Sequence, residues 1–189
     1  MIGLRHGTVE LADHDPEWEN IAAETIQRLS RVLGSAAKDI QHVGSTAIRG
    51  IKAKPIIDIA VAVDNFAEVE ALTPALEAVE FVYRKKEFED TQLLYARGDY
   101  SAPDGIVTHF VHVVKTDSRD WSNYLNFRDY MNAHPEDACK YEVLKMRLAA
   151  ENPTDSDREK YTVGKHDFIV EMLQIAQIWD DFGRVIHSR

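Results

Sequence analysis

Residues 41–63 read QHVGSTAIRGIKAKPIIDIAVAV, and this stretch decides the fold. A first apolar run ends at Val43 and is followed by the small residues 44–46 and then by a basic segment. A second apolar run, residues 55–63, contains a single acid, Asp58. The pattern predicts two short strands joined by a turn and a basic linker, with a carboxylate inside the second strand.

Alternation of side chains gives the second strand two different faces. One face carries only branched apolar residues and reads as core, whereas the other combines small apolar residues with Asp58. A buried ionised carboxylate is costly unless it is paired or bound to a metal. We therefore favour a functional role for Asp58. The alternative is that a helix packs closely on the alanines and that Asp58 is hydrogen-bonded locally.

The turn formed by Gly44, Ser45 and Thr46 offers backbone N–H groups and two hydroxyls that could receive phosphate oxygens. The same three residue types also occur in ordinary turns, so the alternative of a plain turn stays open. Lys54 and the other basic residues of the linker lie close by in the sequence and favour an anion site. Taken alone, they would pass as a solvated loop.

The chain has 189 residues, which fits one domain with a sizeable core. Its 22 basic and 32 acidic residues give a formal net charge of −10. Proteins that bind nucleic acid usually present a basic face, so we do not expect a nucleic-acid partner. A local basic pocket for a small anion remains compatible with this charge.

Cellular location is predicted from cysteine content and hydropathy. Cys139 is the only cysteine, so an intrachain disulfide is excluded. The first ten residues lack the apolar stretch of a secretory signal, and no run approaches the length of a membrane helix. We therefore expect a cytoplasmic protein with no membrane partner.

Strand patterns occupy the first two thirds of the chain and helical patterns the rest. This order predicts an α+β fold, in which a mixed β-sheet has helices on one face and a C-terminal helical segment at one end. We expect a single domain over residues 1–189, with the sheet in 1–115 and the packed helices in 118–182. The predicted strands are 38–43, 55–63, 81–84, 91–97 and 106–114; the predicted helices are 16–33, 65–79, 121–131, one from 135, and one from near Ser156 through Trp179.

Local signals define some of the helix ends. Asp15 precedes Pro16 and can serve as the N-cap of the first helix, while Gly34 is a plausible stop. Pro74 falls inside the helical pattern of residues 65–79, so we expect the helix to break or restart there with Thr73 as a new cap.

Two histidines, His109 and His112, lie in the predicted strand 106–114. Because they are three residues apart, they project to opposite faces and cannot both reach one metal ion from a regular strand. We expect His112 on the side of Asp58. A lone histidine on such a face is more often a satisfied core residue, so a structural role is the alternative.

Two lysines follow tyrosines at helical spacing. Lys145 comes four residues after Tyr141, and Lys165 comes four residues after Tyr161, so each pair shares a helix face. Together with Arg128 they could line a pocket for phosphate. They could equally be amphipathic side chains at the edge of a core, which is the commoner outcome.

Four segments of the chain resemble the successive motifs of the GrpB family. They are HVGSTAIRGIKAKPIIDIAVAV, HFVHVV, NFRDYMNAHPEDACKYEVLKMRLA and YTVGKHDFI, and they occur in family order between about residues 15 and 175. The family is grouped with the nucleotidyltransferase superfamily, so the resemblance implies the palm fold of DNA polymerase beta. In that superfamily a Gly-Ser turn follows one strand, and alternating acids on the next strand hold the catalytic metal.

The resemblance also implies roles for individual residues. Gly44 and Ser45 would bind nucleotide phosphate, and Asp58 would be the first acid and a Mg²⁺ ligand. The second acid would fall at position 60, where this chain has Ala60, and the third acid corresponds most closely to His112. Two-metal phosphoryl transfer needs several carboxylates, so any metal site is altered.

Two functions follow as expectations. The first is Mg²⁺-dependent transfer of a nucleotidyl group from a nucleoside triphosphate to an acceptor, with Asp58 and His112 as catalytic residues. The set that would bind the nucleotide is Gly44, Ser45, Thr46, Lys54, Arg128, Lys145 and Lys165. The alternative is a non-catalytic module that binds a nucleotide or cofactor and assists a partner protein, which the alanine at position 60 favours.

Overall fold

The computed structural model describes residues 2–5, 7–84, 91–99, 105–154 and 159–187. Within these ranges one mixed sheet of six strands is covered by helices. The strands are β1 (Leu4–Arg5), β2 (Ala37–Val43), β3 (Ile57–Val63), β4 (Phe81–Tyr83), β5 (Gln92–Gly98) and β6 (Ile106–Lys115). The helices are α1 (Glu17–Leu33), α2 (Phe66–Ala71), α3 (Thr73–Ala78), α4 (Arg119–Ala133), α5 (Pro135–Glu151), α6 (Glu159–Val163) and α7 (His166–His187). The predicted α+β class is confirmed.

The order of the main strands is β2-β3-β6-β5-β4, and β1 pairs with the start of β6. β3 and β6 run parallel, while the other pairs are antiparallel, so the sheet is mixed as predicted. The register places Asp58 between Val43 and Phe110, and it places Ala60 beside His112. Asp58 and His112 therefore lie on one face of the sheet, two residues apart along the strand direction.

Helix α1 covers the opposite face. Trp18, Ala22 and Leu29 are buried against the branched residues of β3, as the spacing along the helix predicts. The Asp15 carboxylate accepts a hydrogen bond from the Glu17 backbone N–H at 3.0 Å, which stabilises the first turn. The helix stops at Gly34, whose φ of 52° is in the left-handed region that favours glycine.

The C-terminal helices build a second core on the side of Asp58. Tyr141 of α5 and Met172 of α7 pack with Tyr130 and Met131 of α4, and Ile48 of the segment after β2 joins them. Helix α4 contacts β2, β3 and β6, where the small side chains of β3 leave room for a helix. The alanines of β3 are thus used for close helix packing, which was one of the two interpretations of this face.

The helical pattern over residues 65–79 is divided at Leu72 into α2 and α3, which confirms the predicted break. The predicted cap is wrong, because Thr73 is the first residue of α3 and its hydroxyl hydrogen-bonds the Tyr95 hydroxyl at 2.8 Å instead. The final predicted helix is two helices, α6 and α7, separated by Gly164 and Lys165. A Cβ on Gly164 would lie 2.5 Å from Leu148 Cδ2, so close packing requires a poor helix former there.

The predicted start of that last helix, near Ser156, lies outside the described residues. None of the helices in the part of the chain that the structure describes has both the length and the hydropathy to cross a membrane.

Replacing Leu29 by alanine tests the α1 core. Leu29 is 0% exposed, so Leu29→Ala should lower the free energy of unfolding by about 2–5 kcal/mol through lost burial and the cavity left behind. Val143→Ala, at an exposed position of α5, is the control and should change it by less than about 0.5 kcal/mol. Urea unfolding followed by tryptophan fluorescence measures both; equal costs would contradict the assignment of the core.

Candidate functional site

The turn after β2 lies directly against Asp58. Gly44 has φ 71° and ψ −170°, a backbone conformation that is essentially restricted to glycine. A Cβ at Gly44 would lie 2.5 Å from Asp58 Oδ2 and 2.9 Å from Asp58 Cβ. Both the dihedral angles and the space therefore require glycine, and this close approach fixes the turn beside the carboxylate.

Asp58 is partly open to solvent and has a histidine partner. Its side chain is 29% exposed, and Oδ1 lies 3.4 Å from His112 Nε2. In the described part of the chain, no lysine or arginine forms an ion pair with Asp58. Asp58 is therefore not sealed under a helix, and the prediction that His112 would share its face is confirmed.

The imidazole of His112 lies between Asp58 and helix α4. The Tyr124 ring is 5.3 Å from the imidazole at 39°, and the pKa of the Tyr124 hydroxyl is raised by burial and then by the Asp58 charge. His112 Nδ1 is buried and has no hydrogen-bond partner among the described residues. The direct neighbour of His112 across the sheet is Ala60, whose small side chain gives the imidazole room to reach Asp58.

Ser45 connects the turn to the C-terminal helices. Its Oγ lies 3.4 Å from the Tyr141 hydroxyl of α5, and burial raises the pKa of that hydroxyl to about 12. The Tyr141 ring stacks on Phe168 of α7 at 5.5 Å and meets Phe127 of α4 edge-on at 5.4 Å. Helices α4, α5 and α7 therefore fix the position of Tyr141, and Tyr141 holds the Ser45 side of the turn.

Lysines line the same region. Lys54 Nζ and Lys165 Nζ lie 4.8 Å and 4.6 Å from the centroid of the Tyr161 ring. Burial lowers the pKa of Lys165 to about 8, while the Asp58 charge acts in the opposite direction, so the two groups are within electrostatic range. We call Gly44, Ser45, Asp58, His112 and Lys165 the Asp58 site.

Three residues predicted to bind nucleotide are engaged in internal contacts. The buried Thr46 hydroxyl donates to the Ile56 carbonyl at 3.3 Å and contacts His42 Nε2 at 3.0 Å. Arg128 Nη1 donates to the Gln41 side chain at 2.9 Å and the His42 carbonyl at 3.0 Å. Lys145 Nζ is fully buried and donates to the Lys52 carbonyl. Thr46, Arg128 and Lys145 therefore hydrogen-bond the segments next to the turn and hold them in position.

His109 projects to the α1 side, as the alternation predicts. Its Nε2 is 3.1 Å from the Thr25 hydroxyl of α1, and its ring meets Phe81 edge-on at 6.2 Å. Burial lowers the pKa of His109 to about 4. His109 is therefore a neutral core residue, whereas His112 belongs to the Asp58 site.

The donor set does not fit the metal centre that the fold family implies. Among the described residues, no group of three or more His, Cys, Asp or Glu side chains is placed to hold a metal ion. Asp58 offers one carboxylate, its neighbour His112 offers nitrogen, and Ala60 is completely buried. Mg²⁺ demands octahedral oxygen ligation, and two-metal chemistry needs several carboxylates.

Some residues around the site could not be identified from the sequence. Tyr124 and His42 give no signal at the level of sequence, because their contacts depend on how α4 and the turn fold back on the sheet. Tyr141 and Tyr161 were identified only as partners of lysines. The four-residue spacing predicted that each tyrosine lies near its lysine. The distance of 4.6 Å from the lysine Nζ to the tyrosine ring centroid in each pair agrees with this prediction.

Comparison with known proteins identifies relatives over most of the chain. The model of the GrpB protein family matches residues 8–175. The glutamate-rich protein GrpB of Alkalihalophilus pseudofirmus is 35% identical over 92% of this chain and 98% of its own. The crystal structure of the conserved protein GrpB from Enterococcus faecalis superimposes with a TM-score of 0.80 at 28% identity, covering 90% of this chain and 99% of that one.

A longer relative carries a different name. A dephospho-CoA kinase of Mycolicibacterium paratuberculosis is 29% identical over 94% of this chain, and the matched part is 48% of that protein. The chain therefore corresponds to about half of this relative.

Replacing Gly44 by alanine tests the approach of the turn to Asp58. The control is Gly50→Ala, because Gly50 has a similar φ of 75° but a Cβ added there would meet no atom within 4 Å. Both variants should lose about 1–2 kcal/mol from the positive φ. Gly44→Ala should lose at least about 1 kcal/mol more through the clash. Thermal unfolding measures the difference, and equal losses would show that the Asp58 contact does not constrain the turn.

The pH dependence of stability tests the burial of His109. Its pKa of about 4 in the folded protein lies below the ordinary value of 6.5, so the unfolded state binds the extra proton between these values. Stability should therefore fall as the pH drops from about 6.5 to about 4, by on the order of 3 kcal/mol from this residue. In His109→Gln this contribution is absent.

The measurement is urea unfolding of both proteins from pH 7 to pH 4. The stability difference between wild type and His109→Gln should shrink as the pH falls. His166→Gln, at an exposed position of α7, is the control for loss of a histidine outside the core and should change the free energy of unfolding at pH 7 by less than about 0.5 kcal/mol. A difference for His109→Gln that stays constant from pH 7 to pH 4 would contradict a buried neutral imidazole.

Proposed function

The chain belongs to the GrpB family, and on this basis we propose that it binds the phosphate group of a nucleotide in the Asp58 site without transferring it. The observation that carries the proposal is the turn at Gly44 and Ser45, which is held between Asp58 and Tyr141 while Lys165 is within electrostatic range of Asp58. The ligand class is a nucleoside phosphate or a related phosphate ester. The chain would act as a binding module, for example in assisting a partner protein.

The partial exposure of several polar side chains supports phosphate binding at the Asp58 site. Ser45 and Lys165 are partly exposed, so their side chains can turn to a ligand without unfolding their surroundings. The hydroxyl of Ser45 can donate to a phosphate oxygen, and lysines provide both donors and positive charge. These groups form a local basic region in a chain whose net charge is −10.

The carboxylate set argues against transfer chemistry. Phosphoryl and nucleotidyl transfer depend on metal ions that neutralise charge on the reacting phosphate. Here the position of the second acid is Ala60, which is completely buried under the helices. The neighbouring His112 is directed at Asp58 rather than at an open ligand position.

Magnesium-dependent nucleotidyl transfer from a nucleoside triphosphate is the second candidate. The partial exposure of Asp58 and its lack of a lysine or arginine ion pair in the described ranges favour it, because these features leave a charged oxygen accessible. Under this candidate, Asp58 and His112 would be catalytic, and Asp58→Asn would abolish any Mg²⁺-dependent nucleotide binding while leaving the fold nearly intact.

Nucleotide titrations with wild type and Asp58→Asn separate the two candidates. We expect ATP to bind in EDTA, and we expect Asp58→Asn to bind it equally or a few-fold more tightly because a like charge is removed. Asp117→Asn makes the same charge change at another exposed position and serves as the control. Isothermal titration calorimetry measures the affinities, and thermal unfolding checks the fold of each variant.

Other outcomes of these titrations would contradict the non-catalytic proposal. If ATP binds only with Mg²⁺, and Asp58→Asn loses this binding while keeping its melting temperature, the non-catalytic proposal is wrong. An assay for release of pyrophosphate from ATP with Mg²⁺ would then test transfer itself. If neither condition gives binding of any nucleotide, both candidates fail.

A further inference from the structure

Lys145, which is buried, and Lys165, which is half-buried, form a cluster of amines behind the turn. Lys145 is 0% exposed, and its Nζ lies 4.6 Å from the centroid of the Tyr141 ring. Lys165 Nζ lies at the same distance from Tyr161, whose ring is also buried. Tyr141 in turn contacts Ser45, so the cluster is continuous with the turn at the Asp58 site.

The two amines have acids in their surroundings but no ion pair in the part of the chain that the structure describes. Glu142 is within electrostatic range of Lys145, and Asp58 is within electrostatic range of Lys165. Burial, and after it the charge of Lys165, lowers the pKa of Lys145 to about 7. The charged and titratable groups around the pair are Asp58 from β3, Lys54 from the linker, Tyr141 and Glu142 from α5, and Tyr161 from α6.

We infer that Lys145 and Lys165 supply the counter-charge for the bound phosphate in place of a divalent cation, so that anion binding needs no metal and takes up protons from solvent. This inference rests on the proposed function and states which residues balance the charge of the bound phosphate. Lys165, which is partly exposed, contacts the anion. Lys145 is completely buried and adds positive charge without contacting the anion; its Nζ donates to the Lys52 carbonyl and packs on the Tyr141 ring.

The physical reason is the cost of buried charge. An ammonium group in a low-dielectric site is unfavourable unless an opposite charge is close, so part of the lysine population releases its proton when the site has no ligand. A phosphate placed beside Lys165 favours the charged form. Each lysine that becomes charged takes one proton from solvent onto Nζ, and no other bond is made or broken.

Proton uptake is measured by calorimetry in two buffers with different ionisation enthalpies. Wild type is titrated with pyrophosphate and with ADP at pH 8 in EDTA, first in Tris and then in HEPES. Because Lys165 has a pKa of about 8, about half of it is uncharged before binding. The expected result is binding without metal, with uptake of about half a proton or more.

Variants of Lys165 distinguish the effect of its positive charge on affinity from the uptake of a proton by its amine. Lys165→Met should weaken binding at least tenfold. Lys165→Arg keeps a permanent positive charge, so it should keep most of the affinity while proton uptake falls by at least half. Lys160→Met removes an exposed lysine from α6 and should change neither quantity. Lys145→Met should weaken binding and is read only together with its melting temperature, because this side chain is completely buried.

The outcomes distinguish the inference from the function on which it rests. Binding that requires Mg²⁺, or metal-free binding with equal apparent enthalpy in both buffers, would overturn the inference and leave nucleotide binding intact. Metal-free binding that is unchanged in Lys165→Met would overturn the assignment of Lys165. Failure of both anions and of ATP to bind under any condition would overturn the proposed function together with the inference.

Discussion

The close approach of Gly44 to Asp58 is the constraint on which the rest of the site depends. A Cβ at this position would lie 2.5 Å from a carboxylate oxygen, so the backbone passes the Asp58 side chain where no other residue fits. This contact sets the direction of the chain after β2 and places Ser45 under Tyr141. The buried Thr46 then ties the same turn to the Ile56 carbonyl before β3. A turn and a strand that are separated by the whole linker are thereby held as one unit.

Charge around this unit is arranged unevenly. On the sheet side, within the described residues, Asp58 has a histidine as partner, where the resemblance to nucleotidyltransferases implies several acids. On the helical side there are buried or partly buried lysines, with aromatic rings as neighbours in place of acids. Metal-dependent transferases concentrate negative charge so that cations can bridge to phosphate. This arrangement has the opposite balance, which suits direct binding of an anion by the protein.

The sheet part of the fold could be predicted from the sequence because it follows from local patterns. The alternation in residues 55–63 gives both the core face and the position of Asp58, and the spacing of His109 and His112 gives their opposite directions. The break between α6 and α7 was not predicted. Gly164 lies in this break, and a Cβ added there would lie 2.5 Å from Leu148 Cδ2, a contact with another helix that no local pattern encodes.

Predictions about the site divide in the same way. Gly44, Ser45 and Asp58 are adjacent because one turn and one register bring them together, and both features can be read from the motif. The internal roles of Thr46, Arg128 and Lys145 could not be predicted, because residue type alone does not show whether a hydroxyl or amine meets a ligand or a backbone carbonyl. Lys145 illustrates this, since its position after Tyr141 is correct while its amine is directed to Lys52.

The most direct test of the account is a crystal structure of the protein soaked with ATP and Mn²⁺, with anomalous scattering collected to locate the metal. We expect phosphate density between Ser45 and Lys165, with no anomalous peak at Asp58. A manganese peak that bridges Asp58 and the phosphate would contradict phosphate binding without a metal.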